Sequence, residues 1–76
     1  MDLAESELAK PAIERFKVEV LGGDAVFLTD RRLGHKIYMA PKRMSRPELR
    51  RYIALLNSDL KRLTIQDFFA KYGLRG

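Results

Sequence analysis

Two consecutive glycines, Gly22-Gly23, divide a pair of short apolar runs, and this arrangement restricts the fold more than any other feature of the chain. Glycine takes up positive φ angles without steric cost, so the pair predicts a tight hairpin turn, with Asp24 beginning the return. The run before it alternates, with Phe16, Val18 and Val20 on one face and Lys17 and Glu19 on the other. That period of two is the signature of a half-buried strand over Phe16 to Leu21. Ala25 to Thr29 reads as the second strand. Asp30-Arg31-Arg32-Leu33-Gly34 reads as a longer polar turn closed by glycine. His35 to Met39 is the expected third strand, with Ile37 and Met39 on one side and Lys36 and Tyr38 on the other. Pro41 stops it, because proline cannot donate a hydrogen bond into a ladder. Three sequential strands with short connections make an antiparallel meander.

Beyond Pro41 the hydrophobic period changes. Ser45-Arg46-Pro47-Glu48 is a capping box with proline in the first turn, and the helix it opens is expected to run to about Leu60. At 100° per residue, Leu49, Tyr52, Ile53, Leu56, Leu60 and Leu63 fall within one narrow stripe. Thr64-Ile65-Gln66-Asp67 is a second cap, with Asp67 where glutamate is usual. The last helix carries Ile65, Phe68, Phe69 and Tyr72, then ends on Gly73 with Leu74 as the hydrophobic latch of a glycine stop. Such a terminator leads to the expectation of a complete domain. At the other end, Asp2 to Ala9 reads as a short helix, capped by Asp2, with Leu3, Ala4 and Leu8 as its apolar side. Pro11 either breaks that pattern or opens a second short turn through Ile13 and Glu14.

A three-stranded meander has an apolar face that is unstable alone, so the Ser45 helix is expected to cover it. The expected fold class is α+β: a small two-layer domain of order α-β-β-β-α-α, with a short aromatic C-terminal helix. At 76 residues the chain is expected to be one domain, 1–76. A domain this small buries only about 60% of the surface its unfolded chain exposes, which leaves little for a catalytic cleft. The chain has no cysteine. Disulfides, thiolate metal sites and thiol nucleophiles are thereby excluded, and a reducing compartment is favoured. No apolar run approaches the roughly 20 residues that span a bilayer. The acidic N-terminus does not have the form of a signal peptide. These features together point to a soluble cytoplasmic protein with no membrane partner.

Chemistry-bearing motifs do not favour an enzyme. The single histidine, His35, stands at the start of a strand, and of the serines Ser6, Ser45 and Ser58, Ser45 is occupied as a helix cap. No nucleophile elbow, zinc-protease motif or phosphate loop is present. Gly22-Gly23 does not open a helix and so is no dinucleotide fingerprint. Asp24 and Asp30 fall in turns, where aspartate commonly bonds its own backbone. No cofactor or metal is expected.

Charge is the functional lead. Residues 1–30 hold three basic and seven acidic side chains, whereas residues 31–51 hold eight basic and one acidic. The eight are Arg31, Arg32, Lys36, Lys42, Arg43, Arg46, Arg50 and Arg51, and the one acid, Glu48, is engaged in the cap. Charge separated in this way steers a protein toward something acidic. On the helical wheel Arg46, Arg50 and Lys61 share one flank and Arg51 and Arg62 the other, both away from the apolar stripe. A basic hairpin tip, Arg31-Arg32, together with a basic helix start suggests a surface that straddles a phosphate backbone. Phe16, Phe27, Phe68, Phe69, Tyr52 and Tyr72 match core positions, leaving Tyr38 as the one outward aromatic. No aromatic pair of the kind found on RNA-binding sheets is expected.

The order helix, three strands, helix resembles that of double-stranded-RNA-binding domains. Those domains carry a lysine cluster at the start of the last helix, where this chain has Lys42, Arg43 and Arg46. The alanine-rich helix of that family and its glycine-containing hairpin motif have no counterpart here. A meander followed by a helix is also similar to the arm-binding domains of phage integrases. Small helix-and-meander proteins occur among phage inhibitors too, anti-CRISPR proteins included. The resulting expectation is a non-catalytic binding module for nucleic acid or a nucleic-acid-handling complex. The alternative is a phage- or mobile-element-type inhibitor or adaptor that docks on an acidic protein surface. The acidic N-terminal segment, with Asp2, Glu5, Glu7 and Glu14, would also suit a homodimer.

Overall fold

The computed structural model describes residues 4–39 and 43–74. Its elements are α1 (Glu5–Leu8), α2 (Ala12–Arg15), β1 (Phe16–Leu21), β2 (Ala25–Asp30), β3 (Lys36–Tyr38), α3 (Arg46–Arg62) and α4 (Ile65–Tyr72). The three strands form one antiparallel sheet in the order β1-β2-β3, an open meander in a small α+β domain. Gly22 and Gly23 turn the first hairpin at φ 65° and 87°. That turn pairs Leu21 with Ala25 and so sets Val18 against Leu28 and Phe16 against Asp30.

The register assigns each side chain to a face. Phe16, Val18, Val26, Leu28 and Ile37 lie on the face that meets Leu56, Leu60, Ile65, Phe68 and Phe69 of the helices. Phe16 and Phe69 are the central contact, both buried, with ring centroids 5.4 Å apart. Burying a phenylalanine of this kind stabilises a fold by about 1.5–3 kcal/mol. Lys17, Glu19, Leu21, Ala25, Phe27, Thr29, Lys36 and Tyr38 lie on the other face, where Lys17, Leu21, Lys36 and Tyr38 are exposed.

Helix α3 begins as its sequence dictates. The Ser45 hydroxyl accepts from the Glu48 N–H while the Glu48 carboxylate accepts from the Ser45 N–H, and Pro47 occupies the first turn. The helix continues to Arg62, two residues past the expected end. Thr64 caps α4 by accepting from the Asp67 N–H. Gly73 at φ 67° then closes α4, with the Leu74 N–H returning to the Phe69 carbonyl at 2.8 Å. This bond, with that from the Gly73 N–H to the Ala70 carbonyl, forms the expected glycine stop.

Four expectations need correction. The first helix is a single turn that starts at Glu5, with Ala4 in the capping position and no side-chain cap. The expected cap Asp2, with Leu3, lies outside the described residues, as does Pro41. Residues 12–15 form a separate turn of helix with Pro11 as its N-cap, so the element order gains a second short helix. The third strand is shorter than its alternation suggests, because His35 gives its carbonyl to Asp30 N–H at the loop and Met39 returns to the Val26 carbonyl beyond the ladder. Phe27 faces away from the core: Val26 and Leu28 take the covered face, and alternation turns their neighbour outward.

Candidate nucleic-acid interface

The basic residues occupy separate parts of the fold. Arg31 and Arg32 stand in the turn after β2, against α1 and α2. The Arg31 guanidinium donates to the carbonyls of Ile13 and Phe16, at 3.1 and 3.3 Å. Arg32 faces Glu7 at 3.7 Å. The same carboxylate takes Lys10 at 3.0 Å and Arg15 at 3.5 Å, and these cations hold Glu7 below the usual carboxylate range, the Lys10 hydrogen bond foremost. The hairpin tip is thus partly engaged within the molecule, Arg31 by two carbonyls and Arg32 by Glu7.

Lys36 lies on the open face of the sheet. It binds Glu19 at 2.6 Å and Thr29 at 3.3 Å. The Lys36 hydrogen bond, followed by that from Thr29, lowers the Glu19 carboxyl to about 2.

The remaining arginines are different. Arg43, Arg46, Arg50 and Arg51 are exposed, and none forms an ion pair with a described residue. Lys42 lies outside the described residues. Arg46 and Arg50 are one turn apart on α3 and, with Leu49 and Ile53, form one wall of a groove of about 310 Å³. Val20 and Gly23 of the first hairpin form the other. Val20 belongs by register to the covered face, yet it is 40% exposed at the groove. The groove thus sets apolar side chains beside two guanidinium groups.

The structure does not bring Arg31 and Arg32 together with the α3 arginines. Arg31 contacts Phe16 at the start of β1, and the groove begins at Val20, about 13 Å along the strand. The two basic clusters lie toward opposite ends of the sheet.

Two acidic sites hold the scaffold: Asp30, which the sequence presents only as a turn residue, and Asp59, which it does not single out. Arg15 Nε donates to both carboxylate oxygens of Asp30, and both side chains are buried. Burial raises the Asp30 pKa, but Arg15 and the N–H groups of Leu33 and Arg32 outweigh it and leave the carboxyl below its ordinary value. Asp59, fully buried on α3, accepts from Arg62, from Lys71 at 2.7 Å and from Tyr72 at 2.6 Å. Burial opposes its charge too, and the three donors bring it down to about 2. Burial and the neighbouring Asp59 push the Tyr72 hydroxyl up. These groups tie α2 to the sheet and α4 to α3.

A second missed feature is the pair Phe27 and Tyr38, direct cross-strand neighbours on the open face with ring centroids 5.5 Å apart. The sequence reading places Phe27 in the core and leaves Tyr38 as the one outward aromatic, whereas the register sets the two side by side. A signal was present in the register implied by Gly22-Gly23, which puts Val26 opposite Val20 and hence Phe27 on the reverse side.

His35 is exposed, and Ser45 is held in its cap. Among the described residues no group of three His, Cys, Asp or Glu side chains is placed to hold a metal ion. No helix among them is long and apolar enough to cross a membrane. Compared with protein-family models, curated proteins and solved structures, the chain matches none.

Proposed function

We propose that this chain is a non-catalytic, cytoplasmic binding module that engages nucleic acid through the N-terminal half of α3 and the segment leading into it. Arg43, Arg46, Arg50 and Arg51 are the residues assigned to phosphate contact, with Lys42 beside them in sequence. One observation carries the reading: these four guanidinium groups have no internal ion pair among the described residues, whereas Arg15, Arg32 and Lys36 do. Unpaired guanidinium groups suit bidentate contacts with phosphate oxygens.

Fluorescence anisotropy with labelled duplex DNA, duplex RNA and single strands tests it. Four phosphate contacts predict affinity falling roughly 50- to 150-fold between 50 and 200 mM salt. Replacing Arg46 and Arg50 by glutamate abolishes binding while the circular dichroism spectrum is retained. Absence of binding at low salt overturns the proposal.

The groove favours a second reading, a phage- or mobile-element-type inhibitor or adaptor. Its apolar wall of Val20, Leu49 and Ile53 contributes nothing to a phosphate, but it suits an acidic protein segment with an apolar side chain. On that reading the protein ignores naked nucleic acid and co-purifies with one protein, and the Arg46/Arg50 reversal breaks the complex. Exposed Glu5 and Glu14 offer a second copy of the chain as such a partner, which sedimentation equilibrium detects.

A further inference from the structure

The open face of the sheet has an ordered chemistry that the arginine surface does not use. Its register lays out one row of Lys17, Thr29 and Lys36, and beside it a row of Glu19, Phe27 and Tyr38. The rings of Phe27 and Tyr38 meet at 64°, an edge-to-face contact of the kind that supports strand pairing. That contact leaves much of the tyrosine unused, since Tyr38 is 60% exposed. A row of lysines lies two residues away along each strand, about 7 Å from the aromatic row. Lys17 is exposed and has no ion pair with a described residue, and Lys36 is fixed by Glu19 and Thr29.

We propose that this face binds single-stranded nucleic acid by stacking an unpaired base on Tyr38, with Lys17 near its phosphates. The proposal rests on the nucleic-acid reading above and adds to it the class of strand recognised. Three features select this occupant. A flat, exposed ring next to cationic side chains is the combination that stacks bases without regard to sequence. A duplex hides the faces of its bases within its own stack, so it has nothing to offer the ring. A covering helix or second sheet is disfavoured, because it would have to bury Lys17, Glu19 and Lys36.

The experiment uses the full chain. It contains no tryptophan, so Tyr38→Trp places a single indole reporter on the sheet. Titration with an oligodeoxythymidine 15-mer is expected to quench that fluorescence, and a blunt duplex is expected to leave it unchanged. In anisotropy, Tyr38→Ala is expected to weaken single-strand binding roughly tenfold, with the salt slope and duplex affinity unaltered. Tyr38→Phe keeps the ring and is expected to bind as the parent does, while an unchanged circular dichroism spectrum of the alanine variant controls for loss of folding. Binding that depends on Arg46 and Arg50 but neither quenches the indole nor responds to Tyr38→Ala overturns the stacking proposal and leaves the phosphate surface standing. Absence of binding to every nucleic acid at low salt overturns both.

Discussion

Arg15 Nε lies 2.9 Å and 3.0 Å from the two carboxylate oxygens of Asp30, fifteen residues away, and both side chains are buried. This pair joins α2 to the far end of β2. Asp30 also accepts the N–H groups of Arg32 and Leu33, at 2.8 and 3.0 Å, so one carboxylate anchors the helix and shapes the turn into β3. Replacing Arg15 by methionine keeps its bulk and leaves a buried carboxylate without its cation. The expected cost is about 3–5 kcal/mol, read from urea unfolding. A change below 1 kcal/mol would show that the backbone donors alone satisfy Asp30.

Acid should loosen the contact between α3 and α4. The Asp59 carboxyl is held at about 2, below the ordinary aspartate value of 3.8. A carboxylate that is more acidic in the folded state binds protons more readily once unfolded, so protonation favours unfolding. The stability Asp59 supplies is fully present above about pH 4 and is lost as pH falls from there through 2. Asp59→Asn is therefore expected to be less stable than the parent at pH 7. Urea midpoints measured at pH 7, 4, 3 and 2 should converge as the pH drops, and a gap that stays constant would contradict the assignment.

The two basic clusters should behave differently under substitution. Arg31 donates to the carbonyls of Ile13 and Phe16, so Arg31→Ala is expected to lower stability by about 1 kcal/mol. Its effect on nucleic-acid affinity should be minor. Arg50→Ala removes no described internal contact, and its stability should stay within about 0.5 kcal/mol of the parent. It should instead reduce the salt slope of binding by about one unit. Paired melting and anisotropy measurements on the two variants check this separation.

Gly73 offers a test of backbone conformation alone. It sits at φ 67°, and a Cβ built there meets nothing within 4 Å. Gly73→Ala therefore pays only for the left-handed backbone, about 1–2 kcal/mol. Thermal melting should show that loss with no change in binding.

What the sequence made legible was local. The Gly22-Gly23 turn, the Ser45 capping box, the apolar stripe of α3 and the Gly73 stop each depend on residues within one or two turns of one another. Phe27 was misplaced because Ala25-Val26-Phe27-Leu28 is apolar at every position, so the strand carries no alternation of its own to show which side is covered. Its face is decided by pairing with β1. Asp30 was legible as a turn residue and indeed bonds the turn, but its partner Arg15 comes from another element. Asp59 borders the apolar stripe of α3 and becomes a buried anchor only when α4 brings Lys71 and Tyr72 to it. For the basic residues, charge was legible, but sequence proximity did not translate into a shared surface. Arg32 and Arg43 are eleven positions apart, yet a strand that crosses the sheet stands between them.

The two chain segments on either side of the sheet and α3 are sewn together by backbone. The Ala12 N–H donates to the Leu63 carbonyl at 3.0 Å, and the Ile65 N–H donates to the Lys10 carbonyl at 2.9 Å. These groups are about fifty residues apart in the chain. On a ribosome adding 5–20 residues per second, Lys10 and Ala12 wait roughly 3–10 s for their partners to be made. The hairpins and the first turns of α3 can pair during that interval, because their contacts are local. Residues 10–12 are thus seated only after the hairpins and α3 have been made.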